Sequence, residues 1–484
     1  MLTKTDFMNY LECPMYLWLS KHRPELLPKD TPEKERIFAM GRQVDELAKK
    51  LFSAGIEAQG YNEQGWENTK KAIAGGAEII FQPTAVSGNI GCRADILVKN
   101  KKDNTWDIHE VKMATKVKKE YIFDVGFQRI CFENAGITIS ITHLVHINSD
   151  YVRKGEINPR ELFAISDITD EVNRKLPEIQ DEIERALVVA DWKEDHYANL
   201  VNGCHNAKNC EYIEYFCKEN PKVYSFSSVL LPQTLLALLD RNILDYRNVP
   251  ADILQAVGYE LEQEFTEINA LAIKKEFEKL QYPLYFFDYE TYNSPIPPFD
   301  GVKPYQQIPF QYSLMIQDNP TASVRHTDFL MKKFENPMRD LLSKLEKDIG
   351  PTGSIIVWFA LFESKRNEEM AEQEPEFIDF LKSVNERMFD LMLIFKFKNK
   401  MYIKSEFKKL ASLKIVLPVL CPELSYSSLA IQEGGTASAS WPILTNGVLT
   451  PHEKIKLEND MLEYCKRDTQ AMVSILHRVY KDIE

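Results

Sequence analysis

Apolar and polar positions recur along this chain with two rhythms, one helical and one extended, and their alternation lays out its plan. Thr3 or Thr5 can cap a short helix running through Phe7 and Tyr10 to Cys13, after which Pro14 opens the aromatic-rich stretch Met15–Leu19. Residues 33–52 set Phe38, Val44, Leu47, Ala48 and Leu51 on one side of an amphipathic helix. From residue 79 the rhythm turns extended. Segments 79–82, 89–98 and 105–112 read as strands, the last two joined by a polar turn at Lys101–Asn104. Helical spacing returns between Ser227 and Leu280, with a break at Asp245–Pro250. A buried strand follows at Leu284–Thr291, then strands at 309–316 and 324–330 and a helix at 336–348. A strand at 353–359 runs into a helix at Ala360, and a last helix spans about Pro451 to Asp482. This order predicts an α/β fold in two domains, 1–218 and 281–484, joined by a helical connector, 219–280.

The strand Leu284–Thr291 carries the plainest chemistry. Asp288 and Glu290 lie two apart, so both project from one face. Like charges side by side repel unless a cation or a proton holds them, which makes the pair half of a candidate divalent-metal site. Solvated acids at the end of an edge strand are the plainer alternative. Glu363 stands where the strand 353–359 passes into its helix, at the sheet end where ligands gather. On the last helix Tyr464 and Asp468, at i and i+4, share a face; Tyr464 can orient a water and Asp468 can bind a metal.

The first domain offers a second set. Asp95 lies on one predicted strand, with Glu110 and Lys112 on its neighbour and on the same face. The acids and the Val111 carbonyl can hold Mg²⁺ or Mn²⁺ through oxygen, while Lys112 positions water or neutralises developing charge. Gln128, on the following segment, is a further polar group facing that site. An ordinary cross-strand pair on a surface hairpin is the alternative here.

Composition narrows the class. A chain of 484 residues with 44% hydrophobic and 11% aromatic content has ample material for well-ordered cores. No apolar run reaches the length of a membrane span and Met1–Asp6 has no signal-peptide core, so a soluble cytoplasmic protein is expected. The net charge of −13 argues against indiscriminate coating of nucleic acid, but leaves room for local grip through Lys99–Lys102, Lys116–Lys119 and Lys404–Lys414. Eight cysteines in such a chain are not a disulfide framework. Cys204, Cys210 and Cys217 crowd together late in the first domain, and with Cys13 they suit a four-thiolate site. An iron–sulfur cluster and a structural zinc ion are both open, and His205 could substitute in a zinc version. Cys92, Cys131, Cys421 and Cys465 have no such spacing and read as core.

Cys13-Pro14, Asp95, Glu110-Val111-Lys112 and the late cysteine triplet resemble the iron–sulfur PD-(D/E)XK nucleases, which include RecB- and AddB-type helicase-nucleases and CRISPR-adaptation exonucleases. The resemblance implies a restriction-endonuclease-like domain whose ends are pinned by a [4Fe–4S] cluster on Cys13, Cys204, Cys210 and Cys217. Many members add a histidine metal ligand on the helix before the strands. Gly41–Glu46 has none, so either Gln43 or Glu46 takes that place or the site binds metal less well. Asp288, Glu290, Tyr464 and Asp468 resemble the Tyr-x-x-x-Asp class of DnaQ-like 3′–5′ exonucleases, implying a ribonuclease H-like mixed-sheet domain with Mg²⁺ or Mn²⁺. Glu363 stands where that class has aspartate, and Asp390 resembles its structural aspartate. The whole chain is similar to a bacterial family catalogued as a domain of unknown function that pairs these two halves, through Pro304–Gln311, Ser412–Pro418 and Ile431–Gly435. The expectation is a metal-dependent nuclease acting on DNA or RNA with a free end. The alternative is a nucleic-acid end-binding module with one or both sites inactive, recruiting a partner.

Overall fold

The structure, a computed structural model, describes residues 1–27, 32–52, 54–193, 241, 249–250, 252–253, 265–407 and 409–484. The chain divides into two compact units, the first drawn mainly from residues 1–193 and the second mainly from 265–484. Both are mixed α/β structures. Among the described residues no helix is long and apolar enough to cross a membrane.

In the first unit Thr3 caps the helix Lys4–Glu12: its hydroxyl accepts the Asp6 amide at 3.2 Å, while the Asp6 carboxylate accepts the Thr3 amide at 2.9 Å. Pro14, which has no amide proton to lose, starts the helix Pro14–His22. Behind them stands a six-stranded sheet in the order Ile56–Glu57, Ile79–Phe81, Ile96–Lys99, Trp106–Lys112, Ile139–Ile147, Phe163–Asp167. Its central pair, Trp106–Lys112 and Ile139–Ile147, is parallel, and a parallel pair needs a crossover. The helix Lys119–Asn134 supplies it and packs beneath the helix Thr169–Asp191, so it is buried on nearly all sides.

The strand expected at 89–98 is two strands in two sheets. Ile90–Arg93 pairs with Thr84–Ser87 and Leu2–Thr3, whereas Ile96–Lys99 joins the six-stranded sheet. Between them the backbone is tied sideways: Ala94 donates to the Pro83 carbonyl at 3.0 Å and Gln82 donates to the Asp95 carbonyl at 2.8 Å. Asp95 therefore sits at a sheet-switching corner and not within a strand. The helix expected at 33–52 runs over Pro32–Lys49 and buries Val44 and Ala48, but Phe38 is exposed.

The second unit is built on a five-stranded sheet in the order Arg325–Leu330, Ile308–Gln317, Leu284–Tyr292, Ser354–Val357, Met388–Asp390. The first three strands are antiparallel neighbours, and the last two run parallel to Leu284–Tyr292. Both faces of the central strand are covered, which explains its nearly continuous apolar run. Tyr285, Phe287 and Tyr289 pack with Leu341 and Leu345 of the helix Met338–Asp348. Leu284 and Phe286 pack with Met472, Leu476 and Val479 of the terminal helix Pro451–Ile483. Thr450 and Glu453 close a capping box at the start of that helix. Residues 266–277 belong to this unit, although their pattern reads as the tail of a connector. Thr266–Ile268 pairs with Tyr402–Lys404, and the helix Ala270–Phe277 buries Ile273 and Phe277.

Candidate metal centre

Asp288 and Glu290 continue the even-numbered face of Leu284 and Phe286, the face that the terminal helix covers. They therefore meet the helix where it carries Tyr464, Cys465 and Asp468, all buried. Ligand atoms of Asp288, Glu290 and Cys465 lie within 4.8 Å of one another, and the Cys465 thiol reaches the Asp288 carbonyl at 3.9 Å. Cys465 is core, as its spacing suggested, but core of an unusual kind: its thiol packs against acids that hold its pKa well above the ordinary value, after burial itself.

Glu363 arrives from the other side. Ser354–Val357 pairs with the central strand only as far as Phe286, so the backbone beyond is unpaired on that edge. The helix Ala360–Gln373 starts there, and Glu363 in its first turn takes up the Tyr289 amide. Its Oε2 is buried with no hydrogen-bond partner. The neighbouring Arg366 is already engaged by Glu369, at 2.8 Å.

Four carboxylates thus converge with no cation in ion-pair contact among the described residues. Burial, then Asp468, Glu363 and Glu290, hold Asp288 well above the ordinary carboxylate range. Burial, then Asp468 and Glu363, do the same to Glu290. Burial pushes Glu363 up to about 8 and Asp468 up to about 6. Such a set is stable only with protons or with cations. Its donors are oxygens with one sulfur close by, which fits a hard divalent ion such as Mg²⁺ or Mn²⁺. The orphaned Glu363 Oε2 is the atom such an ion would satisfy.

Sequence patterns missed Tyr426 and gave no individual role to Lys414 or Gly434, which lie in stretches singled out above. Tyr426 donates its hydroxyl to Asp468 Oδ1. Lys414 holds its ammonium 5.6 Å from the Tyr426 ring and 5.7 Å from the Tyr464 ring, anchored by the Gln432 carbonyl at 2.7 Å. Gly434 opens the helix Gly434–Thr445 so close that an added Cβ would lie 3.9 Å from both Glu290 Oε2 and the Tyr464 hydroxyl. Asp390 accepts the Met392 amide at 3.1 Å and caps the turn Leu391–Ile394.

The first unit gathers its own set. Glu110 is 1% exposed, and one of its oxygens receives both Lys112 Nζ at 2.7 Å and Lys4 Nζ at 2.8 Å. Lys112 also reaches Asp124 at 2.6 Å, and Gln128 donates to the other Asp124 oxygen at 2.7 Å. Gln128 thus braces Asp124 within this set, and its own carbonyl oxygen is buried with no hydrogen-bond partner. Burial opposes ionisation of Glu110, but the two lysines outweigh it and hold its pKa below the ordinary range. Its second oxygen has no partner. Asp95 accepts the Val111 amide at 2.8 Å; burial, then Glu110, push it up to about 7.

The acid on the preceding helix is Asp45. Burial and Glu110 push it up to about 6. Gln43 is exposed, and Glu46 pairs outward with Lys49 at 2.8 Å. The signal was present: Gly41, Val44, Asp45 and Ala48 fall at i, i+3, i+4 and i+7, which puts a carboxylate on the helix's apolar stripe. Cys13 is buried at the junction of the first two helices. Cys204, Cys210 and Cys217 lie outside the described residues, as does His205.

Comparison with known proteins adds kinship without chemistry. The chain is 25% identical over 218 residues to the uncharacterized protein MG366 of Mycoplasma genitalium, covering 42% of this chain and 33% of that protein. It is 26% identical over 218 residues to the MG366 homolog of Mycoplasma pneumoniae, with the same coverage. It is 26% identical over 227 residues to the uncharacterized protein UU173 of Ureaplasma parvum, covering 43% and 33%. The match thus spans about a third of the length of these curated relatives. Residues 285–412, which contain Asp288, Glu290 and Glu363, match the family described as "Domain of unknown function (DUF2779)".

Proposed function

We propose that the chain is a metal-dependent nuclease that hydrolyses phosphodiester bonds of DNA or RNA, working from the 3′ end through the second unit. The observation that carries this reading is the convergence of Asp288, Glu290, Glu363 and Asp468, with Tyr464 beside them, at the end of the central strand of the five-stranded mixed sheet. The strand order, three antiparallel and then two parallel, agrees with the ribonuclease H-like fold implied by the Tyr-x-x-x-Asp resemblance. Mg²⁺ or Mn²⁺ bound by these acids would supply charge neutralisation and activation of water. Tyr464 would hold and orient the attacking water. Lys414 would offset part of the negative charge of an incoming phosphate, and Tyr426 would keep Asp468 turned toward the site.

The first unit supports a second reading, binding without cutting. Lys4 and Lys112 already neutralise Glu110 from within, so this acid has less need of a divalent ion than the second unit's quartet. Asp45, Asp95 and the free Glu110 oxygen remain as donors for one, in keeping with a PD-(D/E)XK-like site. A [4Fe–4S] cluster on Cys13, Cys204, Cys210 and Cys217, or zinc in its place, belongs to the same proposal. The test is release of nucleotides from end-labelled DNA and RNA in Mg²⁺ or Mn²⁺, compared across Asp288→Ala and Glu110→Ala. Loss with the first alone supports a single active unit, and loss with the second alone reverses the assignment.

A further inference from the structure

A cavity of about 300 Å³ opens beside the first unit's acids, with Asp45, Asp95 and Lys4 on its wall. Its volume lies at the lower end of the range for small-molecule sites. Tyr61 stands at its rim, 66% exposed, with the Arg93 guanidinium 4.1 Å from the centre of its ring. A cation behind one face of an exposed tyrosine leaves the other face open as a stacking platform.

Two other lining residues, Asn62 and Gln82, both hold φ at 52°, in the left-handed region that side chains other than glycine seldom adopt. Strain of this kind gathers at ligand sites. Gln82 also ties the cavity to the acid beside it, donating to Asp95 Oδ1 at 3.3 Å. Deeper in, Thr84 is 3% exposed and its hydroxyl has no partner. Gly65 packs so tightly there that an added Cβ would lie 2.6 Å from that hydroxyl, so the close approach admits only glycine. Amide side chains and an open aromatic face are what a nucleobase needs: one stacking surface and a few hydrogen-bonding groups.

We infer that this cavity receives one unstacked base of a single-stranded nucleic acid, laid against Tyr61, with its backbone directed to Lys4. A paired base hides its faces in the stack, so the site selects unpaired strands. The inference rests on the nuclease reading for the class of ligand, but not on catalysis in either unit.

The test is photocrosslinking of the full-length protein in EDTA to a short oligonucleotide carrying 5-iodouracil, followed by peptide mapping. The single strand is expected to label Tyr61, and a blunt duplex of the same sequence to label it about tenfold less or not at all. Arg93→Gln, which removes the cation behind the ring, is expected to cut Tyr61 labelling several-fold. Equal labelling by strand and duplex overturns the inference. Label confined to Tyr426 or Tyr464 overturns it too, while leaving the second unit's assignment standing. An oligonucleotide that crosslinks nowhere in EDTA overturns it as well, and leaves the second unit's metal-dependent assignment to be judged by nucleotide release in Mn²⁺.

Discussion

Glu363→Gln is expected to make the metal-free protein more stable while it destroys the metal site. Glu363 is 4% exposed, one of its oxygens has no partner, and burial raises its pKa from 4.5 to about 8. The folded state therefore holds the proton more tightly than the unfolded chain. The stability this contributes is complete below pH 4.5 and is lost as pH rises through about 8. At pH 7 the loss is ~1.4 kcal/mol for each pH unit above the unfolded value, or about 3 kcal/mol. Glutamine has no charge to desolvate and keeps a carbonyl oxygen for the Tyr289 amide. In EDTA at pH 7 the variant should unfold about 3 kcal/mol later than wild type, roughly 6–12 °C for a domain of this size. At pH 4.5 the two should coincide. Thermal and urea unfolding followed by tryptophan fluorescence reads this, since Trp441 and Trp358 lie in the second unit's cores. Mn²⁺ should then stabilise wild type by mass action and leave the variant unmoved. A variant as stable as wild type at pH 7, or less stable, would refute the picture of Glu363 as an uncompensated buried acid.

Four further expectations concern single side chains. Tyr464→Phe loses a hydroxyl that orients water and should slow nucleotide release by about 10²-fold; Tyr426→Phe leaves Asp468 without its hydroxyl donor and should weaken Mn²⁺ binding by roughly tenfold, read by calorimetry. Lys112→Ala strips a buried cation from Glu110 and Asp124 and should destabilise the first unit by about 3 kcal/mol, against almost nothing for exposed Lys118→Ala in the same unfolding assay. Wild type purified anaerobically is expected to be brown with bound iron and Cys13→Ser to lose both, and zinc in place of iron in wild type would replace the cluster with a structural zinc site.

Local rules reached far in the second unit because its chemistry sits on regular elements. The apolar run ending in Asp288 and Glu290, the acid at the start of the helix Ala360–Gln373 and the Tyr464–Asp468 pair each announce themselves within a few residues. Tyr426 does not, since nothing near it in sequence hints that its hydroxyl will meet Asp468, 42 residues on. The first unit was harder for the same reason. Lys4 meets Glu110 across 106 residues, and Asp124 reads as one more polar position on a helix. The stretch 89–98 looked like one strand because Ile90, Cys92, Ala94, Ile96 and Val98 alternate at period two. What divides it is the pairing of Ala94 and Asp95 with residues 82–83, a tertiary contact. Asp45 was readable from the helical stripe, but a carboxylate on an apolar face looks like an error until other acids are seen to share its surroundings.

The central claim is that Asp288, Glu290, Glu363 and Asp468 form a working metal centre. Its most direct test is the release of mononucleotides from a 5′-labelled oligonucleotide by wild type and Asp288→Ala in Mn²⁺. The account predicts stepwise shortening from the 3′ end in wild type and a loss of several orders of magnitude in the variant, since positioning and charge stabilisation supply nearly all the catalysis in such sites. Equal rates in the two proteins would contradict it and move any cutting to Glu110 and Lys112.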